Sequence, residues 1–158
     1  MCFHQSQRCT ATISQVSRRI ADQGGRALAI QADVTDRGAV QRMAEQVREV
    51  KFFYPMIGQK VGREFGAVDV LVNNAGLSVW QHMVNVDVDS WDKMVDINIR
   101  GSLNCIAAVL PGMVDRKRGY IINMSSIRGV TTGTGGAVYC GTKHFLEGLS
   151  GGLRAEVA

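Results

Sequence analysis

The sequence has little with which to build a metal or disulfide framework. Its four cysteines, Cys2, Cys9, Cys105 and Cys140, form no C-x-x-C pair, and none stands at a zinc-ligand spacing from the three histidines. That excludes a zinc finger or ribbon and points to a reduced compartment, with no disulfide and no metal expected. Aromatic residues make up 6% of the chain, and none is interleaved with the one tight basic cluster, Arg116-Lys117-Arg118. Nucleic-acid binding calls for stacking rings among the cations, so no nucleic-acid partner is expected. The cluster reads instead as a solvated helix end, where cations complement the last carbonyls. No apolar run approaches the roughly eighteen residues of a membrane span, and Met1 to Thr10 lacks the apolar centre of a secretory signal. The expectations are a cytoplasmic location and no membrane partner.

What is present is ordinary globular material. A chain of 158 residues with 46% hydrophobic and 20% charged residues is one domain or part of one. Ile13, Val16 and Ile20 recur at helical spacing from Ala11 to Gln23, and Gly24-Gly25 follows as a left-handed stop. Ala27 to Ile30 reads as a short buried strand. After Asp33-Val34-Thr35-Asp36, with Thr35 or Asp36 as cap, a helix carries Val40, Met43, Ala44 and Val47 on one stripe. Val68 to Val72 is a second strand, running into Asn73-Asn74-Ala75-Gly76. Asp89-Ser90 offer caps for a long helix from Trp91 to about Met113, Tyr120 to Met124 is a third strand, and a last helix starts near Ala137. Strands alternating with helices predict an α/β fold with a Rossmann-like, doubly wound parallel sheet.

One stretch breaks the rhythm. Residues 48–61, with Phe52-Phe53-Tyr54-Pro55 and Gly58, interrupt a helix that otherwise runs straight into Gly62-Arg63-Glu64-Phe65-Gly66. They form either an insertion containing a proline-broken helix, in a single domain over residues 1–158, or an ordinary longer loop.

The residues that carry chemistry lie mainly toward the C-terminus. Tyr139 and Lys143, four apart at the start of the last helix, sit one turn above each other on one face. An ammonium near a phenol favours the phenolate, so the pair makes a proton donor for a carbonyl or an acceptor from an alcohol. Alone it is equally two amphipathic residues on a helix surface. Ser126 stands thirteen positions before Tyr139 and directly after a strand, at the end where open α/β sheets place ligands; a local turn through Ser125 or Ser126 is the bland reading. Asn98 interrupts the apolar helical stretch Val95-Asp96-Ile97-Asn98-Ile99, either as a kink residue or because its amide has a task. Gly76, at the tip of a strand, lets a flat ring or sugar approach the main chain.

The ordered set Asp33-Val34, Asn73-Asn74-Ala75-Gly76, Asn98, Ser126 and Tyr139 through Lys143 resembles the short-chain dehydrogenase/reductase family, from about Ile13 to the end apart from the interruption. The resemblance implies an oxidoreductase that moves hydride between NAD(P)(H), with NADP favoured, and a small-molecule carbonyl or secondary alcohol. It assigns Tyr139 as catalytic acid/base and Lys143 as the residue that activates it and holds the nicotinamide ribose. Ser126 positions the carbonyl, and Asn98 orders a water that links the lysine to solvent. Asp33 and Val34 flank the adenine, and Asn74, Ala75 and Gly76 line the adenosine ribose side. Relatives pair through the helices that here hold Asn98 and Lys143, implying a homodimer or homotetramer.

The chain departs from that family at both ends. The family opens with a strand, a glycine-rich turn and a helix whose amino end holds the pyrophosphate, whereas glycine is missing here until Gly24. Gly24-Gly25 ends a helix and presents carbonyls, the wrong polarity for phosphate. The last helix stops at Glu156-Val157-Ala158, before the strands and loop that cover substrate. The expectation is therefore an incomplete sheet, its first two and last strands missing, with impaired activity. The family's sheet order leaves Ala27–Ile30 and Val68–Val72 three spacings apart, roughly 14 Å. Either the first moves over to pair with the second, or the chain does not stay folded alone. The rival readings are a non-catalytic partner-binding protein of the same fold, or pseudoenzyme, and an extended relative with epimerase or dehydratase chemistry. The tight Asn73-Asn74-Ala75-Gly76 turn and Asn98 argue against the last.

Overall fold

A computed structural model describes residues 7–49, 51–53, 60–63 and 66–157. Helix α1, Gln7–Asp22, closes where predicted: Gly24 takes φ +77°, and the Gly24 and Gly25 N–H groups return to the carbonyls of Ala21 and Ile20, both at 2.9 Å. The segment after it corrects the sequence reading. Ala27–Ile30 enters no ladder; Leu28 is exposed, while Ile30 and Ala32 rest on the core. An apolar run becomes a strand only beside another strand, and among the described residues none lies next to it. The expected shift into pairing with the second strand does not occur.

Helix α2, Arg37–Glu49, is capped by Asp36, whose Oδ1 accepts the Ala39 N–H at 3.1 Å. Its stripe of Val40, Met43 and Ala44 is buried against Cys105, Ala108, Val109 and Met113 of a later helix, and this seam is the core. Polar groups bridge the same seam. Arg48 donates to the Ala108 carbonyl at 2.9 Å, and Asn104 Nδ2 donates to the Val34 carbonyl at 2.9 Å. Beyond α2 the proline-broken helix gives way to short antiparallel strands, β1 (Lys51–Phe53) and β2 (Lys60–Arg63), paired Phe52 to Val61 and Phe53 to Lys60. Tyr54, Pro55 and Gly58 lie outside the described residues.

The central pair is parallel: β3, Val70–Asn73, and β4, Tyr120–Asn123, run in register from Val70/Tyr120 to Asn73/Asn123. Leu71 and Ile121 face the helical core. Val70, Val72, Tyr120 and Ile122 point the other way and are 41–73% exposed, so only one face of this sheet is covered, where a complete parallel sheet has helices on both.

Between the strands runs a single helical rod in three parts: α3 (Val88–Val95), a π-helical turn (Asp96–Arg100) and α4 (Gly101–Asp115). Its cap is Asp87, which accepts the Ser90 N–H at 3.1 Å, two residues ahead of the first predicted cap, Asp89. The rod also corrects the expectation about apolar length. Val88–Asp115 holds an 18-residue window of mean hydropathy 1.3, long and apolar enough by composition to cross a membrane, and half of that window is buried within the fold. At its end Lys117 adopts φ +51°. The basic cluster then ties the rod to the start of β3: Arg116 donates to the Val68 carbonyl at 2.9 Å, and Arg118 pairs with Asp69 at 3.4 Å. Helix α5, Ala137–Val157, completes the fold, an α/β unit with an incomplete Rossmann-like sheet.

Gly101 is where α4 meets the 33–36 turn, and a Cβ there would lie 2.7 Å from Val34 Cγ2. Gly101→Ala is therefore expected to lower stability by about 1–3 kcal/mol through overpacking, read as a lower urea midpoint with an unchanged slope. An unchanged midpoint would mean the Val34 turn is not packed on α4.

Candidate active site

Helix α5 begins after a glycine-rich loop, with the Gly136 carbonyl accepting the Cys140 N–H at 2.8 Å. Its first turns present Tyr139 and Lys143 on one side, as the four-residue spacing requires. Lys143 is only 7% exposed. Its ammonium donates to the Met124 carbonyl, just past the tip of β4, at 2.7 Å, and stands 5.8 Å from the centre of the Tyr139 ring. Burial holds its pKa below the ordinary lysine value. The Tyr139 hydroxyl bonds to no described residue, so it is free to exchange a proton with a ligand.

Asn98 explains how the strand tip and this helix are held together. It is 1% exposed. Its Oδ1 accepts the Leu77 N–H at 2.7 Å, and its Nδ2 donates to the Leu77 carbonyl and to Thr142 Oγ1, both at 2.9 Å. The amide thus pairs with the loop after β3 and with α5 at once, and the π turn is what carries it there. In that wider turn the Gly101 N–H reaches back to Asp96, and Ser102 Oγ donates to the Asn98 carbonyl at 3.0 Å. Such turns recur at functional sites because they re-aim one side chain without ending the helix. Both the oxygen and the nitrogen of the amide engage protein groups.

The other predicted residues fall into two groups. Gly76 borders the lysine: a Cβ there would lie 3.5 Å from Asn98 Oδ1 and 3.7 Å from Lys143 Nζ, so the glycine keeps open the space above the ammonium. Asn74 and Ala75 line one small cavity with Val34, Gly101 and Ser102, which brings together three of the five residues predicted around the adenosine. Asp33 Oδ1 is engaged with the Thr35 N–H and hydroxyl at 2.9 and 2.8 Å, shaping the turn beside that cavity. Ser126 follows β4 and accepts the Arg128 N–H at 3.2 Å, opening a short 3-10 turn, Ile127–Gly129. It shares no hydrogen bond with Tyr139. Ser125, the other candidate, donates to the Lys143 carbonyl at 3.3 Å and serves the helix.

Several contributors escaped the sequence reading. Thr142 takes the Asn98 amide and donates to the Tyr139 carbonyl at 2.8 Å. Asn73 Nδ2 donates to Asn123 Oδ1 at 2.8 Å, and Asn123 Nδ2 donates to Ser150 Oγ at 2.9 Å, a polar chain from β3 across β4 to α5. The one available signal was three hydrogen-bonding side chains in otherwise apolar surroundings. Trp80 lies beside Tyr139, ring centres 6.2 Å apart. Cys105 and Cys140 are free, buried thiols, and burial raises the pKa of Cys105 to about 11, which suits packing better than reactivity. Among the described residues no group of His, Cys, Asp and Glu side chains could hold a metal ion.

Comparison with known proteins agrees with this geometry. An uncharacterized oxidoreductase of Staphylococcus saprophyticus is 46% identical over 95 residues, 60% of this chain and 39% of the relative. A 3-oxoacyl-acyl-carrier-protein reductase of Staphylococcus aureus is 34% identical over 152 residues, 96% of this chain and 54% of that one. Among solved structures, a gluconate 5-dehydrogenase from Burkholderia cenocepacia in complex with NADP and tartrate superimposes with a TM-score of 0.78 at 26% identity, over 98% of this chain and 55% of its own. The chain spans about half the length of the curated relatives it matches. The family model for short chain dehydrogenases matches residues 54–158. That match takes in more than half of the sequence, with the whole surroundings of Tyr139 and Lys143, and on it the chain belongs to the short-chain dehydrogenase family.

Proposed function

We propose that the protein is an NAD(P)(H)-dependent oxidoreductase that interconverts a small carbonyl compound and its secondary alcohol, with Tyr139 as the proton carrier. The observation that supports it most is the placement of Lys143, buried at the tip of β4 within 5.8 Å of the tyrosine ring and bordering Gly76. A nicotinamide cofactor, when bound, supplies the hydride and its two electrons. Everything else is the work of the chain. Tyr139 gives its proton to the carbonyl oxygen as the carbon gains hydride, and takes one back in the reverse direction. Ser126 already accepts from Arg128, so its own proton is left to hold the substrate oxygen. Lys143 steadies the phenol and the nicotinamide ribose, while Asn98 and Thr142 act as positioning residues for both.

The residues present suit the two ends of a dinucleotide. Gly76 borders the Lys143 ammonium, where the nicotinamide ribose belongs in this reading, and Val34, Asn74 and Ala75 stand together on the side assigned to the adenosine. Several solved relatives are complexes with NADP, which supports NADP over NAD. Residues 1–23 contain no glycine for a turn at the pyrophosphate, so weak cofactor binding and slow turnover by these 158 residues alone belong to this reading. Subunit pairing through the rod and α5 belongs to it too, with exposed Leu103 and Phe145 as apolar contacts.

Turnover by this chain, followed as NADPH oxidation with a short dicarbonyl, is expected to be low or absent even at saturating NADPH. Any measured rate is expected to fall at least about a hundredfold in Tyr139→Phe; a rate indifferent to that change removes the phenol from the reaction. Binding gives a separate readout, since Gly76→Val fills the space over Lys143 and should weaken NADPH binding by at least about tenfold. Equal NADPH affinity in the two chains would put the nicotinamide elsewhere.

The lysine also sets a pH dependence. With its folded pKa lowered, the unfolded chain binds the Lys143 proton more tightly in the window up to about pH 10.4. Its contribution to stability therefore rises with pH through that window and is lost as pH falls through the folded value. The Cys105 thiol, raised from 9.0 to about 11, works in the opposite sense there. The quantity to measure is thus the difference between wild type and Lys143→Met, in which the thiol cancels. That difference should move in favour of wild type as the buffer becomes more alkaline, and a flat difference would mean the lysine carries an ordinary pKa.

A further inference from the structure

The stretch Ile127-Arg128-Gly129-Val130 says little as sequence, and Arg128 reads there as an exposed loop arginine or a contact for an anionic substrate. The structure separates these. Arg128 is half-buried and held on two sides: one N–H of its guanidinium donates to the Thr132 carbonyl at 2.7 Å, and its Cζ lies 5.4 Å from the centre of the Trp80 ring. Gly133 makes room for it, because a Cβ there would lie 2.9 Å from the guanidinium.

Trp80 is built in as firmly. Its indole N–H donates to Ser78 Oγ at 2.9 Å. Gly136 is its seat, since a Cβ at that position would collide with the indole at 2.7 Å. The Gln81 N–H donates to the Gly135 carbonyl at 2.7 Å, tying the segment after β3 to the glycine-rich loop before α5. The order along this wall is guanidinium, indole, phenol, with 5.4 Å and 6.2 Å between successive members. The indole stays half exposed. Acidic side chains elsewhere take Arg42, Arg100 and Arg118 as ion-pair partners, but among the described residues none pairs with Arg128.

We propose that Arg128, stacked on Trp80, is the specificity residue of the site and receives a carboxylate of the substrate. The substrate class is then an oxo acid in the reducing direction and a hydroxy acid in the oxidising one. A guanidinium has five N–H donors in a planar fork, and Thr132 takes one. What remains matches the two oxygens of a carboxylate, and the Thr132 carbonyl and the indole face hold the guanidinium from two sides. Trp80 borders both the cation and the phenol, so a substrate with a carboxylate a few bonds from its carbonyl has Arg128 for the first and Tyr139 for the second. This inference rests on the oxidoreductase reading for the direction of reaction, but the binding it asserts does not.

The test uses the indole as reporter. The chain has two tryptophans, Trp80 and Trp91, so Trp91→Phe leaves Trp80 as the emitter. Acetoacetate should change its emission saturably, and methyl acetoacetate, which keeps the ketone and lacks the charge, should bind at least about tenfold more weakly. Arg128→Met should erase the preference for acid over ester, Arg128→Lys should retain part of it, and Tyr139→Phe should leave it intact. Equal binding of acid and ester by the parent chain overturns the proposal without reliance on any variant's folding. So does an Arg128→Met chain that keeps the preference, or one that loses affinity for NADPH relative to NADH while binding acetoacetate normally, which would make Arg128 a phosphate contact of the cofactor. If acid binding depends on Arg128 but NADPH affinity is the same in the parent chain and Gly76→Val, the oxidoreductase reading fails and this one stands.

Discussion

The site depends on one buried carboxamide. Asn98 is sealed from water, and its amide has three partners on two different segments: both main-chain groups of Leu77 and the hydroxyl of Thr142. Each polar group left unpaired in such a place costs about 1–3 kcal/mol, so the arrangement is close to all-or-none. With the amide in place, the strand-tip turn at Gly76 and the first turns of α5 face each other across a fixed gap. The Met124 carbonyl then draws the Lys143 ammonium into that gap. The lysine's burial, its lowered pKa and its approach to Tyr139 are consequences of this closure.

That dependence explains why the incomplete sheet does not scatter the candidate residues. The seam between α2 and α4 supplies the hydrophobic core, and the polar chain from Asn73 through Asn123 to Ser150 pins the covered face of the sheet to α5. The reacting end of the site is assembled from the rod, from α5 and from the ends of β3 and β4, all lying on that covered face. The bare face, with Val70, Val72, Tyr120 and Ile122 exposed, contributes no partner to the hydrogen bonds of Asn98, Thr142 and Lys143. The fold can therefore be incomplete on one side while the geometry around Tyr139 is kept.

What could be read in the sequence was whatever is local. Tyr139 and Lys143 meet because four residues make about one helical turn, and Asn98 stood out because an amide inside an apolar helix needs a reason. The stop at Gly24 and the alternation of strands and helices were legible for the same cause. Properties that depend on a distant partner were not. Ala27–Ile30 has a strand's composition, but pairing belongs to a neighbour, and among the described residues it pairs with none. The apolar length of Val88–Asp115 was hidden because Asp92, Lys93, Asp96 and Arg100 are scattered along one end of it. The cap moved to Asp87 because Asp87, Asp89 and Ser90, three residues able to cap, stand within four positions. Thr142 and Trp80 were passed over because their partners, Asn98 and Arg128, lie far away along the chain.

The most direct test of the central constraint is amide hydrogen exchange at Leu77, a loop residue whose N–H has no regular secondary structure to protect it and bonds only to Asn98 Oδ1. The Leu77 amide should be protected in the wild-type chain and exchange at least about tenfold faster in Asn98→Ala, with faster exchange also in the first turns of α5 around Thr142. A Leu77 amide that exchanges in the wild type as fast as an open loop would contradict the account.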